Sequence, residues 1–205
     1  MAWRSFMPTF TDASLVAAGL GLLLSASLFT PWASAAAPDA ACPATLNHTL
    51  LRLQDEKPQS LCQYSGKVLL VVNTASYCGF THQYKGLEEL HAKYRDRGLV
   101  VLGFPSNDFA QEKASNKDIA EFCENTFGVK FPMFAKSAVR GGDANPFFRQ
   151  LAQQSGRAPM WNFHKYLVGR DGKVIANYTS VTGPGDRALV AAIEQQLAGH
   201  LHGKN

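Results

Sequence analysis

The chain has 205 residues, of which 46% are hydrophobic, and a formal net charge of +4. After an N-terminal apolar segment, this length leaves room for one domain with a substantial core. The positive charge is small and forms no Lys/Arg cluster, which argues against nucleic acid as a partner. The sequence after that segment contains no internal repeat and no coiled-coil heptad pattern, so a single globular domain is expected.

The first 35 residues follow the order of a secretory signal peptide. The positive charge of Arg4 precedes an apolar stretch over residues 15–29, and small residues occupy positions 33–37. The stretch is shorter than the roughly 20 residues that cross a bilayer. We therefore predict a signal peptide over residues 1–35, a mature domain over 36–205, and export to the periplasm or to the exterior. An uncleaved membrane anchor is the alternative, because the basic start is weak.

The start of the mature chain is predicted to form a small β-hairpin. Residues 50–53 favour a strand, residues 54–58 contain the turn, and residues 59–61 can return as a second strand. Two cysteines, Cys42 and Cys62, flank this hairpin. In an exported protein such a pair is typical of a structural disulfide. A role for Cys62 in redox recycling is the alternative, since the sequence does not fix the hairpin register.

Two apolar runs predict neighbouring buried strands, one over residues 68–73 and one over residues 98–104. Neither run alternates with polar residues, which is typical of strands that are buried on both faces. Residues 81–95 between them predict a helix, because apolar side chains recur there at helical spacing. These side chains are Tyr84, Leu87, Leu90 and Tyr94. A strand–helix–strand unit of this kind is expected to make a right-handed crossover between parallel strands.

The second half of the chain predicts three further helices and a hairpin. Ser115 can cap a helix that contains Cys123, and residues 146–154 continue with a helical pattern. Residues 166–176 then form two short apolar runs around a Gly-Arg-Asp-Gly turn, and a helix from Asp186 to Leu201 closes the chain. This element order predicts an α/β protein that resembles thioredoxin, with a central mixed sheet flanked by helices and an N-terminal hairpin.

Cys78 is the leading candidate for a reactive side chain. It follows a buried strand and precedes a helix, and the carboxyl ends of such strands are where active sites gather. Free N–H groups at a helix N-terminus stabilise a thiolate, and Gly79 lets the backbone approach a ligand closely. A thiolate placed there can attack a peroxide and become a sulfenic acid. The alternative from position alone is a buried structural cysteine.

Three motifs resemble those of the glutathione peroxidase family. They are NTASYCGFT at residues 73–81, GFPSNDFAQE at residues 103–112 and WNFHKYLV at residues 161–168. They occur in the order of the family, and the resemblance runs from about Leu46 to Leu197. It implies a thiol peroxidase that reduces hydrogen peroxide and organic hydroperoxides, protects against oxidative stress, and needs no metal or other cofactor.

The resemblance also implies polar partners for Cys78, namely Gln111, Trp161 and Asn162. Two amides and an indole N–H can donate to the thiolate and to the departing hydroxide, which is electrostatic catalysis by preorganised donors. One departure falls in the second motif, where Ala110 alone separates the phenylalanine from the glutamine and the family has two residues. A deletion of one residue can shift the glutamine, so Gln111 is the partner whose place beside Cys78 the sequence leaves open.

Cys123 resembles the resolving cysteine of the thioredoxin-dependent branch of the family, in which E-F-C precedes G-V-x-F-P. The resemblance implies a Cys78–Cys123 disulfide, which requires local unwinding because the two Cα atoms must approach to about 6 Å. A thioredoxin-like dithiol protein would reduce it, with direct reduction by glutathione as the alternative. The segment over residues 146–161 lacks the insertion of tetrameric relatives, which implies a monomer. The alternative is that Cys123 packs in the core and has no redox role.

Two other functions compete with peroxide reduction. A disulfide oxidoreductase of the thioredoxin type needs a C-x-x-C pair at the helix start, and here Thr81 occupies the position of the second cysteine. The missing thiol disfavours disulfide exchange. An exported thioredoxin-like module that senses redox state without catalysis is the second competitor.

Overall fold

The computed structural model describes residues 42–199. The predicted signal peptide over residues 1–35 lies outside the described residues, as does the last predicted helical position, Leu201. Among the described residues, no helix has both the length and the apolar character that a membrane crossing requires.

The predicted N-terminal hairpin is present and slightly displaced. Strand β1, Thr49–Leu51, pairs antiparallel with β2, Pro58–Ser60. A short 3-10 turn, Leu61–Tyr64, follows directly and is capped by the Ser60 hydroxyl, which accepts from the Cys62 N–H at 3.2 Å. Cys62 in this turn is joined to Cys42 by a disulfide with a Cα–Cα distance of 5.2 Å. The bond ties the start of the described chain to the hairpin.

Removing this disulfide is expected to lower the free energy of unfolding without touching the reactive cysteine. The two half-cystines are 20 residues apart, and closing a loop of that size stabilises a protein by about 3 kcal/mol. A Cys42→Ala, Cys62→Ala double variant should lose about this amount in urea unfolding. Its stability should not respond to dithiothreitol, whereas that of the wild type should. Equal stability of the two proteins without reductant would contradict the expectation.

The centre of the domain is a four-stranded mixed sheet with strand order β4-β3-β5-β6. The strands are β3 (Val68–Thr74), β4 (Leu99–Pro105), β5 (Lys165–Val168) and β6 (Val174–Tyr178). Strands β3 and β4 run parallel, and β5 and β6 are antiparallel to their neighbours. Every residue of β3 is buried, as its unbroken apolar run predicts. The predicted mixed sheet is therefore confirmed.

Within residues 42–199, four helices cover the two faces of this sheet. They are α1 (Gln83–Tyr94), α2 (Asn116–Phe127), α3 (Pro146–Ser155) and α4 (Arg187–Ala198). Side chains of β3 alternate between the faces, so that Val72 packs in one core with residues of α1, α2 and α4, while Val71 packs in the other with α3. The fold is thioredoxin-like, with a core on each side of the sheet.

The helix starts determine where the reactive loop lies. The Ser115 hydroxyl accepts from the Asp118 N–H at 3.1 Å, as predicted for the start of α2. Helix α1 begins two residues later than the sequence predicted, because residues 78–84 first form tight turns. In these turns the Thr81 N–H donates to the Cys78 carbonyl at 3.0 Å, and the Tyr84 N–H donates to Thr81 at 3.1 Å. Cys78 therefore lies in a turn ahead of the helix.

Candidate active site

Cys78 is a free thiol in the turn that follows β3, and only 7% of its surface is exposed. Its N–H donates to the Thr81 hydroxyl at 3.0 Å, and that hydroxyl donates to the Ala75 carbonyl at 2.9 Å. Thr81 occupies the position at which a disulfide oxidoreductase has its second thiol. Here that side chain holds the turn together instead.

One backbone group points at the sulfur of Cys78. The Phe80 N–H lies 3.5 Å from the Sγ atom and can donate to it. A backbone N–H in this position can donate to a negatively charged sulfur. The turn therefore provides one donor of the kind that was expected from the helix N-terminus.

Gln111 and Asn162 meet beside this turn. The Asn162 side-chain N–H donates to the Gln111 Oε1 atom at 2.9 Å, and the Gln111 carbonyl accepts from the Tyr77 N–H at 2.9 Å. Gln111 lies beside the turn even though the loop is shorter, since its carbonyl is bonded to the residue next to Cys78. Ala110 makes the tight turn possible by adopting a left-handed conformation with φ of 55°.

Trp161 is brought to the same region but is less enclosed than the other predicted partners. Its side chain is 43% exposed and packs against Phe109, with ring centroids 5.2 Å apart. Its carbonyl accepts from the buried Asn73 amide at 3.1 Å, and the Phe163 N–H donates to the Asn73 carbonyl at 2.6 Å. The first and third motifs are thus joined through Asn73.

Glu112 is a residue to which sequence analysis assigned no role. Its Oε1 atom accepts from the Ser76 N–H at 3.1 Å and from the Lys113 N–H at 2.7 Å. Burial raises the pKa of this carboxyl, although the hydrogen bond from Ser76 acts in the opposite direction. Glu112 therefore holds the second motif against the Cys78 turn. Its place directly after Gln111, in the Q-E pair of the motif, was the available signal.

Cys123 lies on the inner face of α2, where 3% of its surface is exposed. It belongs to the same side of the core as Cys78, and both thiols are free. Burial raises the pKa of Cys123 to about 11; the nearby Tyr84 hydroxyl lowers it and the Glu112 charge raises it further. In this packed state Cys123 is a neutral thiol at ordinary pH, and therefore a poor nucleophile.

Lys113 connects the Cys78 turn to α2. Its ammonium group lies 4.7 Å from the Tyr77 ring centroid and 5.2 Å from that of Phe122, and it donates to the Tyr77 hydroxyl at 2.8 Å. The same three side chains line an open cavity of about 550 Å³ between the turn and the helix. A cation held between two rings stabilises their mutual position, so Lys113 helps to hold α2 against the Cys78 turn.

His164 in the third motif is expected to make stability depend on pH. It is 1% exposed, and burial lowers its pKa to about 4. Because the folded value lies below the ordinary 6.5, the unfolded chain binds the extra proton as pH falls through this window. The free energy of unfolding therefore contains the full contribution of neutral His164 above pH 6.5. As the pH falls from 6.5 towards 4, this contribution decreases by up to about 3 kcal/mol.

A His164→Phe variant tests this pH dependence, since phenylalanine keeps the edge-on packing against Tyr166, whose ring centroid lies 4.8 Å away. Urea unfolding between pH 7 and pH 4 should show a smaller loss of stability for the variant than for the wild type. A matched His82→Phe variant, at an exposed histidine, should follow the wild type. Parallel curves for the wild type and His164→Phe would contradict the prediction.

Comparison of the sequence with known proteins points to one family. A sequence profile described as glutathione peroxidase matches residues 47–152. A glutathione peroxidase-like peroxiredoxin of Chlamydomonas reinhardtii is 52% identical over 137 residues, which cover 64% of this chain and 83% of the relative. A hydroperoxy fatty acid reductase of Synechocystis is 44% identical over 154 residues, with coverage of 70% and 90%.

Solved structures agree at the level of the fold. The apo crystal structure of Trgpx aligns with a TM-score of 0.61 and 35% identity, over 75% of this chain and 95% of its own. A thiol:disulfide interchange protein from Chlorobium tepidum aligns with a TM-score of 0.56, over 76% of this chain and 95% of its own. At 17% identity it shares the fold alone.

The thioredoxin-like fold, with the Cys78 thiol after its central strand and Thr81 in place of a second cysteine, fits a thiol peroxidase better than a disulfide oxidoreductase. The bonded pair of amides next to the Cys78 turn fits that class. The profile match and the similar relatives identify the family. The chain belongs to the glutathione peroxidase family, in its cysteine-containing form.

Proposed function

We propose that this peroxidase reduces hydroperoxides with the thiolate of Cys78. The observation that carries the proposal is the position of Cys78, a free thiol that receives the Phe80 N–H and lies beside the joined amides of Gln111 and Asn162. The function deepens the family assignment by naming the reacting atom. A non-catalytic redox module would not need this pair of amides beside the turn that carries the thiol.

The proposed first step is attack of the Cys78 thiolate on the nearer oxygen of a hydroperoxide. The S–O bond forms as the O–O bond breaks, so the sulfur is oxidised to a sulfenic acid and the peroxide is reduced to an alcohol or water. The departing oxygen carries negative charge and takes up a proton. Gln111, Trp161 and Asn162 would donate hydrogen bonds to this oxygen, each contributing a few kcal/mol to the transition state.

In the proposed second step, Cys123 attacks the sulfenic acid. A Cys78–Cys123 disulfide forms, water leaves, and an external dithiol then reduces the disulfide by exchange. Supporting this order is the placement of Cys123 on the same side of the core as Cys78. Burial raises the pKa of Cys123 to about 11, so the thiol is neutral and unreactive while α2 is packed. This implies that α2 unwinds before Cys123 attacks.

The reductant and the substrate follow from this chemistry. A thioredoxin-like dithiol protein suits a two-cysteine cycle, and direct reduction by glutathione is the alternative. Hydrogen peroxide and organic hydroperoxides are proposed as substrates, and the hydroperoxy fatty acid reductase among the relatives favours a test with fatty acid hydroperoxides. We further propose a monomer that is exported after cleavage near residue 36. The Cys42–Cys62 disulfide supports export, since such bonds persist in oxidising compartments.

Intact mass measured after one equivalent of peroxide tests the proposed cycle. The reduced wild type should become about 2 Da lighter, because two thiol hydrogens are lost in forming one disulfide. Peptide mapping should assign the cross-link to Cys78 and Cys123. Turnover should then be compared with a dithiol protein and with glutathione. Oxidation confined to any other residue would overturn the proposal, and faster turnover with glutathione would overturn the choice of reductant.

A further inference from the structure

Lys165 is a lysine inside the protein core. It belongs to β5, its exposure is 0%, and in the described part of the chain no carboxylate pairs with it. Its ammonium group instead donates to the Gln83 Oε1 atom and to the Phe163 carbonyl, both at 2.8 Å. Burying a cation among neutral acceptors is unfavourable, and burial accordingly lowers its pKa to about 7. A methionine would fill the same volume at lower cost.

The bonds of Lys165 belong to a closed ring. The Gln83 side-chain N–H donates to the Ser180 carbonyl at 2.7 Å, and the Ser180 hydroxyl donates to the Asn162 carbonyl at 2.5 Å. Asn162 is bonded covalently to Phe163, and the Phe163 carbonyl accepts from Lys165, which closes the ring. All five residues are buried. We call this set the Lys165 ring.

The two sides of the Lys165 ring belong to the two halves of the active site. Gln83 is the first residue of α1, directly after the turns that carry Cys78. Trp161, Asn162 and Phe163 lie in the loop before β5, which carries two of the proposed donors and which we call the donor loop. Phe163 adopts a left-handed conformation with φ of 61°, which costs energy in a residue other than glycine. Its carbonyl is the one that Lys165 binds.

We infer that Lys165 is a positioning residue, which fixes Trp161 and Asn162 relative to the Cys78 turn by joining the Phe163 carbonyl to Gln83. The hydrogen bonds of Lys165 go to Gln83 and to the Phe163 carbonyl, so Lys165 acts through the donor loop. The inference rests on the proposed function, because it assigns a purpose to the donors named there. It extends the site to Lys165, Gln83 and Ser180.

A Lys165→Met variant, made in a Cys123→Ser background so that Cys78 is the one free thiol, tests the inference. The second-order rate constant for oxidation by hydrogen peroxide should fall at least tenfold, about 1.4 kcal/mol in activation free energy. Alkylation of Cys78 by iodoacetamide needs the thiolate but no donor to a leaving hydroxide, so its rate should change less than about threefold. The matched variant is Lys173→Met, at an exposed lysine beyond the same strand.

The same substitution in a background that lacks both donor side chains, Trp161→Phe and Asn162→Ala, separates positioning from general weakening of the fold. If Lys165 acts through the donor loop, removing it there should change the peroxide rate by less than about twofold, since interacting sites are not additive. An unchanged rate in the first background, an equal fall in both backgrounds, or an equal fall in alkylation would each overturn the inference.

Ser180→Ala provides a milder test should Lys165→Met fail to fold. It removes one hydrogen bond, to the Asn162 carbonyl, and should slow the peroxide reaction about threefold or more while leaving alkylation unchanged. Equal rates for Ser180→Ala and its parent would overturn the inference. The proposed function is judged independently by Cys78→Ser, whereas Lys165 is judged by the ratio of peroxide to alkylation rates.

Discussion

Cys78→Ser is expected to abolish peroxide reduction, with the rate constant falling at least about 1000-fold. Serine can preserve the turn, because the Cys78 N–H bond to Thr81 involves only the backbone of residue 78. What disappears is a sulfur nucleophile that can accept an oxygen atom from the peroxide. The loss should therefore be chemical rather than structural.

Stopped-flow peroxide consumption with a dithiol reductant measures this loss. Circular dichroism and urea unfolding should show that Cys78→Ser is folded as the wild type is. The matched control is Cys123→Ser, which removes the other free thiol and should still consume the first equivalent of peroxide at the wild-type rate. Peroxide-dependent thiol consumption that survives in Cys78→Ser would contradict the assignment of the reacting sulfur.

Cys123→Ser is expected to slow dithiol-driven turnover about 100-fold, because the sulfenic acid can then be reduced only by direct attack of the external thiol. The first oxidation should be unaffected. Intact mass after one equivalent of peroxide should show a species about 16 Da heavier, the sulfenic acid, in place of the lighter disulfide form. Wild-type turnover in this variant would contradict a resolving role for Cys123.

The pH dependence of the resolving step gives a second measurement on the wild type. Packed in α2, Cys123 has a pKa of about 11, so attack from the closed helix would accelerate through pH 9 to 11 as the thiolate forms. Once α2 unwinds, the thiol regains an ordinary pKa of about 8.5. We expect the rate of disulfide formation to rise with pH and to level off near pH 9, which indicates unwinding before attack.

Much of the fold could be predicted because its strongest signals are local. The unbroken apolar run of β3 is buried along its whole length, and Ser115 caps α2 as its residue type predicts. Boundaries moved by one or two residues where turns competed with helix, as at the start of α1. Such features can be predicted because they depend only on residues that are close together in the sequence.

Long-range packing in the site was less predictable. The sequence placed Gln111, Trp161 and Asn162 in a common region through motif resemblance, yet no local pattern reveals that Ala110 turns with positive φ. Nor does one reveal the ring through Lys165, whose partners lie 82 residues away at Gln83 and two residues away at Phe163. The available hint was a lysine at the start of an otherwise apolar strand.

Glycine 103 shows the same limit inside a motif. Gly103 lies in β4, and a Cβ atom there would overlap the sulfur of Met133 and meet the Phe131 ring at 2.9 Å. The second motif begins with this glycine, but only the structure gives the physical reason for it. The segment after α2 pairs with β4 at this point through the Gly103–Met133 bridge, and the close approach leaves no room for a side chain.

The packing of Cys123 also determines how Cys78 survives a peroxide surge. An unresolved sulfenic acid can react with a second peroxide to give a sulfinic acid, which thiols do not reverse. That loss grows with peroxide concentration, whereas helix opening does not. The enzyme should therefore have a threshold concentration above which it inactivates itself, and loosening the Lys113 contact with Phe122 should raise that threshold.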